Sequence, residues 1–519
     1  MSKMISLGGL VVTISSFLCV FLLLALIKIF HKLWLTPIRT QKLMASQGIK
    51  GPSYRFIHGN TKEISKMKRE AMSRRLTSFS HDIFSRVQPH IHSWNKTYGK
   101  NFVQWYGCQA QLVVSEPELI KEILNKKDTY PKRKLTPLTK TIFGEGVATT
   151  NDPKKWEKLR KQANHAFHGD SLKSMIPTMI DCTETMLQRW KSHEGKEIEV
   201  YQEFRLLTSE VISRAAFGSS YLEGKNIFDK FNKLCSLLLK SSLNNRFSGI
   251  SKFFKSSDDI ESEKLDKGIH DSIVEIIKKR ENEAMTGEDD NFGSDFLGLL
   301  LKAHHGANDN QRISVEELVD ECKIFYFAGH ETTNSLLAWT ILLLALYPEW
   351  QEQARKEVLH SFGQQIPDPD ELASLKIMGM IINETLRLYA PVISYERKVE
   401  REVRLGKLIV PAGLDLYISS LALHHEPQFW GEDVHLFKPE RFSEGVAKAT
   451  NNNITAFLPF GMGPRICPGL NFATIETKIV LSRILQNYSF TLSPGYIHLP
   501  YENLIVRPQH GVQVMLHLL

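Results

Sequence analysis

The chain has 519 residues, 42% hydrophobic and 24% charged, a composition that supports a large packed core and excludes a disordered or fibrous protein. Its net charge of +8 arises from 65 Lys and Arg scattered among 57 Asp and Glu, not from basic blocks, which argues against nucleic-acid binding. Six cysteines, at 19, 108, 182, 235, 322 and 467, show no C-x-x-C spacing and no disulfide density, as expected of a reduced, cytosol-facing protein.

The first predicted element is a membrane anchor. Residues 4–27 form an almost uncharged apolar run, long enough for the roughly 20 helical residues that cross a bilayer core. Lys28, His31, Lys32, Arg39 and Lys42 follow, and by the positive-inside rule they hold the downstream chain in the cytosol. A cleaved signal peptide is the competing reading, but no small-x-small cleavage site follows the run. Residues 31–47 mix Leu33, Trp34, Leu35 and Ile38 with basic residues, suiting a segment resting on lipid headgroups, and Gly48 to Pro52 break it. The expected division is an anchor at 1–30, a juxtamembrane linker at 31–60 and one catalytic domain at 61–519. N-x-[ST] triplets at Asn95, Asn383, Asn453 and Asn487 read as chance matches, because Asn383 falls in a core-helix pattern.

Amphipathic helical patterns follow at 117–125, 153–167, 202–217, 264–281, 314–346, 349–362 and 379–389. Strand signals lie near 103–114, 403–418 and 499–516, and the polar stretches 251–263 and 285–295 read as loops.

Four constellations carry chemistry. Trp156 and Arg160 stand four apart, so the indole N–H and guanidinium share one helical face, among Lys154, Lys155, Lys158 and Lys161. Within the 314–346 helix, Ala328-Gly-His-Glu-Thr-Thr333 places poor helix formers where propensity does not select them. Small Ala328 and Gly329 leave room for a flat ligand, and a threonine hydroxyl can bond back to the carbonyl four residues earlier. A polar kink is the bland alternative. Glu384 and Arg387, three apart on a helix with Met380, Ile381, Ile382, Leu386 and Leu388, read as a buried pair needing a further partner. Arg441 of Pro439-Glu-Arg-Phe442 is available for that role.

The fourth is Phe460-Gly-Met-Gly-Pro-Arg-Ile-Cys-Pro-Gly469. Gly461 and Gly463 permit tight turns that bring amides toward the Cys467 sulfur, and Gly469 lets a helix start close by. A sulfur so placed can bind a haem iron, with Phe460 excluding water and Arg465 pairing with a propionate. The alternatives are an inert buried cysteine or a zinc site; no second cysteine lies nearby, and His424 and His425 are adjacent, not spaced as ligands.

The chain here resembles the cytochrome P450 family, whose F-x-x-G-x-R-x-C-x-G signature is matched by Phe460, Gly463, Arg465, Cys467 and Gly469, with Ala473 also fitting. E-x-x-R, P-E-R-F, W-x-x-x-R and the threonine motif match in the family's order. The resemblance implies a mainly α fold, a helical haem-binding domain with small β-sheets behind one transmembrane helix. It implies haem b ligated by Cys467 and contacted by Trp156, Arg160, Ala328, Gly329, Pro459, Phe460, Gly461, Arg465, Pro468, Gly469 and Ala473. Glu331 and Thr332 correspond to the acid–alcohol pair that passes protons to dioxygen, and Glu384, Arg387 and Arg441 to a structural triad. The substrate pocket is expected at 135–147, with Phe143, at Phe325, at 391–395, with Val392 and Ile393, and at 500–505.

The anchor and residues 47–56 and 208–220 resemble the plant microsomal branch that includes brassinosteroid, gibberellin and cytokinin hydroxylases and triterpenoid oxidases. That implies a monooxygenase of the endoplasmic reticulum, single-pass and cytosol-facing, using O2 and electrons from NADPH through a separate NADPH-cytochrome P450 reductase, because the chain carries no flavin or nicotinamide fingerprint. The Lys154–Lys161 cluster would help dock that reductase. The expected substrate is a lipophilic terpenoid, steroid-like molecule or xenobiotic. The rivals are a haem-thiolate isomerase or dehydratase needing no reductase, against which Glu331 and Thr332 argue, and a non-catalytic membrane haem sensor.

Overall fold

A computed structural model describes residues 2–74, 79–219, 221–243, 256–287, 292–306 and 312–519. The N-terminal apolar run forms one helix, Ser2–Phe30, which passes through a π turn at His31–Leu35 into Thr36–Ser46. Its apolar segment has a mean hydropathy of 2.5 and no buried part, so it is long and apolar enough to cross a membrane. The helix stops where the sequence placed the break, at Gly48, whose φ of +85° suits glycine. Trp34 then packs on Tyr54 and Phe56, and the Tyr54 hydroxyl donates to the Leu33 carbonyl, fixing the junction to the body.

Helices dominate the body. The longest, Val315–Leu346, starts with Ser314 and Glu317 in a reciprocal capping box and is buried along most of its length. Pro348 ends it by opening the next helix, Pro348–Phe362. Its widest packing is against Val200–Phe217, and there a Cβ on Gly329 would lie 2.6 Å from Ile212 Cδ1. Helix-on-helix approach is therefore a reason for glycine at 329, beside the room for a ligand that the sequence suggested.

A four-stranded sheet runs Phe102–Tyr106, Gln109–Val114, Asp415–Ser419, Ser394–Lys398. Its inner pairing is parallel, with Gln111 opposite Asp415, and the outer pairings are antiparallel. A three-stranded sheet joins Glu197–Glu199, Gln513–Leu518 and Tyr488–Leu492, and the two remaining sheets are two-stranded. One apolar core, including Trp339, Phe204 and Leu481, lies among the helices, and a second, including Trp105, Leu416 and Trp430, backs the four-stranded sheet.

Most helical expectations hold to within a few residues, and Pro117–Asn125 holds at both ends. The loop expected at 251–263 is corrected in its described part: Ser256 and Asp259 form a capping box, and 257–263 are the first turns of Ser257–Thr286. Residues 251–255 and 288–291 of the two expected loops, and Ser220, lie outside the described residues. Among helices the sequence reading passed over is Gly169–Trp190, whose pattern is interrupted by Pro177.

Candidate active site

The cysteine loop folds as its glycines require. Gly461 and Gly463 have φ of +78° and +75°, and a Cβ on Gly463 would come within 2.7 Å of the Leu124 carbonyl. Cys467 N–H donates to the Phe460 carbonyl at 2.9 Å, closing the loop, and Gly469 caps the helix Leu470–Asn487. The sulfur therefore sits just ahead of a helix N-terminus.

Cys467 borders a mainly apolar cavity of about 270 Å³. Of the residues singled out in the sequence, Trp156, Arg160, Phe325, Ala328, Gly329, Thr332, Val392, Pro459, Phe460, Arg465, Pro468, Gly469 and Ala473 share that lining. Gly461, Phe143, Ile393, Glu331 and the 500–505 turn are not in it. Gly461 abuts Tyr395, Phe143 packs edge-on against Phe327, and Ile393 is a core residue.

The charges around the cavity test whether a haem fits. Arg160 donates to the Ile466 carbonyl, Arg465 to that of Thr150 at 3.1 Å, Lys132 to that of Ala148, and Arg397 to that of Glu396 at 2.8 Å. All four groups are pulled below their ordinary values, first by burial; mutual repulsion adds to this at Lys132 and Arg397, whose guanidinium falls to about 10. Arg397 Nε is buried without a partner. None of the four forms an ion pair among the described residues, and a buried Arg397 with three half-buried cations held by carbonyls calls for an anion. A haem carries two propionates, so the cradle fits it, with Trp156 stacked under Arg465 at 5.0 Å. Burial pushes the Cys467 thiol up, while the Gly469 amide and Arg160 pull the other way; metal coordination deprotonates such a thiol. Lys132 and Arg397 were not legible in the sequence, because Lys132 lies in a Lys132-Arg133-Lys134 run and Arg397 beside Lys398, where nothing local singles either one out.

On the long helix, Thr332 Oγ1 donates to the Ala328 carbonyl at 2.6 Å, as its position predicts, yet the helix stays continuous. Thr333 also borders the cavity, with its buried hydroxyl unpartnered. Glu331 is directed elsewhere: its carboxylate lies 3.5 Å from Arg507 and 3.4 Å from His330, and His330 meets Thr208 at 3.0 Å. Burial would raise this carboxyl, but the Arg507 charge and the His330 contact outweigh it and hold it at about 2.

The structural triad assembles. Arg387 donates to both Glu384 oxygens at 2.7 and 2.6 Å and to the carbonyls of His424, Val434 and Leu436. Arg441 lies 3.4 Å from Glu384 and pairs with Asp433 at 2.8 Å, a fourth member without a sequence signal. Of the lysine cluster, Lys158 and Lys155 are engaged by Glu317 at 3.0 and 3.6 Å, which leaves Lys154 and Lys161 as its exposed charges.

The family model described as Cytochrome P450 matches residues 79–516. A relative from Panax ginseng, Cytochrome P450 CYP749A22, is 57% identical over 502 residues, covering 96% of each chain. The 11-oxo-beta-amyrin 30-oxidases of Medicago truncatula and Glycyrrhiza uralensis are each 40% identical, with 94% of each chain covered.

Proposed function

The chain belongs to the cytochrome P450 family, and from that premise we propose that it oxidises a triterpenoid or steroid-like substrate in the cavity bordered by Cys467 and Thr332. It is a haem-thiolate monooxygenase, an oxidoreductase. The carrying observation is the convergence on one cavity of a lone thiol, an apolar wall and cations without carboxylate partners. A relative named as an 11-oxo-beta-amyrin oxidase directs the choice of substrate toward polycyclic lipids.

Lys132, Arg160, Arg397 and Arg465 would hold the propionates, and Cys467 would ligate the iron. When bound, a thiolate-ligated haem would supply dioxygen activation, one oxygen atom entering the substrate and the other leaving as water. Phe460 shields the sulfur, and the apolar walls from Ile324 to Thr332 and at Val392 bind substrate and exclude water. Thr332 offers a hydroxyl at the cavity face. Glu331, an anion that faces Arg507 at 3.5 Å, can take part in proton transfer only by turning from that partner.

Two electrons per turnover come from NADPH through a membrane-bound flavoprotein reductase, docked in part by Lys154 and Lys161. The N-terminal helix anchors the enzyme in the endoplasmic reticulum with the body in the cytosol.

The test is the carbon monoxide complex of the reduced protein. It should show the red-shifted Soret band of a thiolate-bound haem, and Cys467→Ser should abolish the band and turnover together. A serine variant that kept both would overturn the assignment. Adding triterpenoids and steroids while following haem absorption then identifies the substrate class; no response to either would remove that part of the reading.

A further inference from the structure

Away from the cavity, Asp82, His425 and His435 come together from two distant segments, with one candidate ligand atom on each lying within 4.8 Å of the others. Asp82 immediately precedes the short turn that leads into Phe84–Val87, and His425 caps the helix Ser420–His424. His435 follows Val434, whose carbonyl receives Arg387. The cluster thus bridges the start of the body to the loop that closes over the structural triad.

Each imidazole has a buried ring nitrogen without a partner. His425 is 5% exposed, and its Nε2 lies 3.1 Å from the Leu388 carbonyl. A carbonyl only accepts, so Nε2 carries the proton and Nδ1 is a bare lone pair, buried and without a partner. His435 Nδ1 is also buried and unpartnered, and the two rings stand 5.5 Å apart. By contrast, neighbouring His81 uses both nitrogens, on the hydroxyls of Tyr389 and Tyr347. A buried acceptor without a donor costs free energy, and two beside one carboxylate make a donor set of two nitrogens and an oxygen.

We propose that Asp82, His425 and His435 form a structural site for a divalent transition cation, zinc by preference, that ties the 79–83 segment to the triad loop. Two imidazoles and a carboxylate suit zinc over magnesium or calcium, which prefer all-oxygen shells. The His425 bond to a backbone carbonyl is the arrangement that orients metal-binding histidines. Metal bonds of about 2.0–2.2 Å require the three ligand atoms to close in from their spread within 4.8 Å, with water as fourth ligand.

The experiment uses the full-length, haem-loaded protein, stripped with a chelator and titrated with zinc sulfate. Bound zinc is counted against haem iron, and the thermal midpoint is followed. One zinc per haem and a saturable rise in midpoint are expected. Asp82→Asn, which is isosteric, and His435→Ala should keep the haem spectrum but bind zinc more than about tenfold more weakly, since loss of even an outer-sphere partner costs that much. His304→Ala, in the separate Glu281, His304, His305 group, should change nothing. No bound zinc in the unsubstituted protein, or binding that survives both first variants, overturns the proposal. Loss of binding in His304→Ala alone does so as well.

Discussion

Glu384 with Arg387 and Glu331 with Arg507 are both buried carboxylate–guanidinium pairs. In the first, the guanidinium donates to both carboxylate oxygens and to three carbonyls, and Glu384 also accepts from the Lys438 amide at 3.0 Å. In the second, the nearest approach is 3.5 Å, and Glu331 Oε2, His330 Nε2 and Arg507 Nε have no hydrogen-bond partner. A saturated buried network has one arrangement and resists change, whereas a loosely paired one keeps its charge matched yet can exchange partners. The saturated pair suits bracing of the cysteine loop, and the loose one suits a carboxylate that moves beside the cavity.

The most severe test breaks the saturated pair. Arg387→Ala leaves the buried Glu384 without its two short hydrogen bonds and with only Arg441, at 3.4 Å, as a charge partner, a cost of about 3–5 kcal/mol. The expected outcome is protein without haem, read as a lost Soret-to-protein absorbance ratio; normal haem content would show that the pair does not brace the site. Glu331→Gln should behave in the opposite way, keeping haem and fold while product formation falls roughly 10²-fold and oxygen consumption is less affected. Product formation per NADPH measures it, and unchanged coupling would remove Glu331 from proton transfer.

Acid stability sharpens the contrast further. The Glu331 carboxyl is held at about 2, below its ordinary 4.5, so its stabilisation is complete above about pH 4.5 and is lost as pH falls toward 2. Arg507→Gln leaves burial as the dominant influence, raising that value and reversing the sign: stability should then fall as pH rises through it. Urea midpoints between pH 4.5 and 7.5 separate the two, because this carboxyl adds no slope there in the unsubstituted protein and a falling one in the variant. The smallest effect is expected at Gly329→Ala, where the new methyl meets Ile212 and costs about 1–3 kcal/mol. Adding Ile212→Val should restore part of the thermal midpoint; no recovery would mean that the cavity side makes the demand.

The Cys467 loop, Trp156 with Arg160, and Glu384 with Arg387 were legible because their geometry is local. A glycine turn, a shared helical face and a charge in an apolar helix leave marks within about ten residues. Thr332 was legible for the same reason, since its hydroxyl meets a carbonyl one turn away. The helix over 257–263 was missed because a polar first turn lacks the apolar period, although its capping pair stood in the sequence.

The sequence by itself determined the N-terminal apolar helix, the mainly helical fold, the cysteine and the order of the motifs, because backbone propensity, apolar periodicity and short-range spacing act along the chain. Tertiary structure alone decided that Lys132 and Arg397 join the cation cradle, that Arg507 holds Glu331, and that Asp433 completes the triad. It also decided that Asp82 meets two histidines more than 300 residues away. Such partners are chosen by burial, where an unmatched charge or lone pair must find its complement in space whatever its distance along the chain.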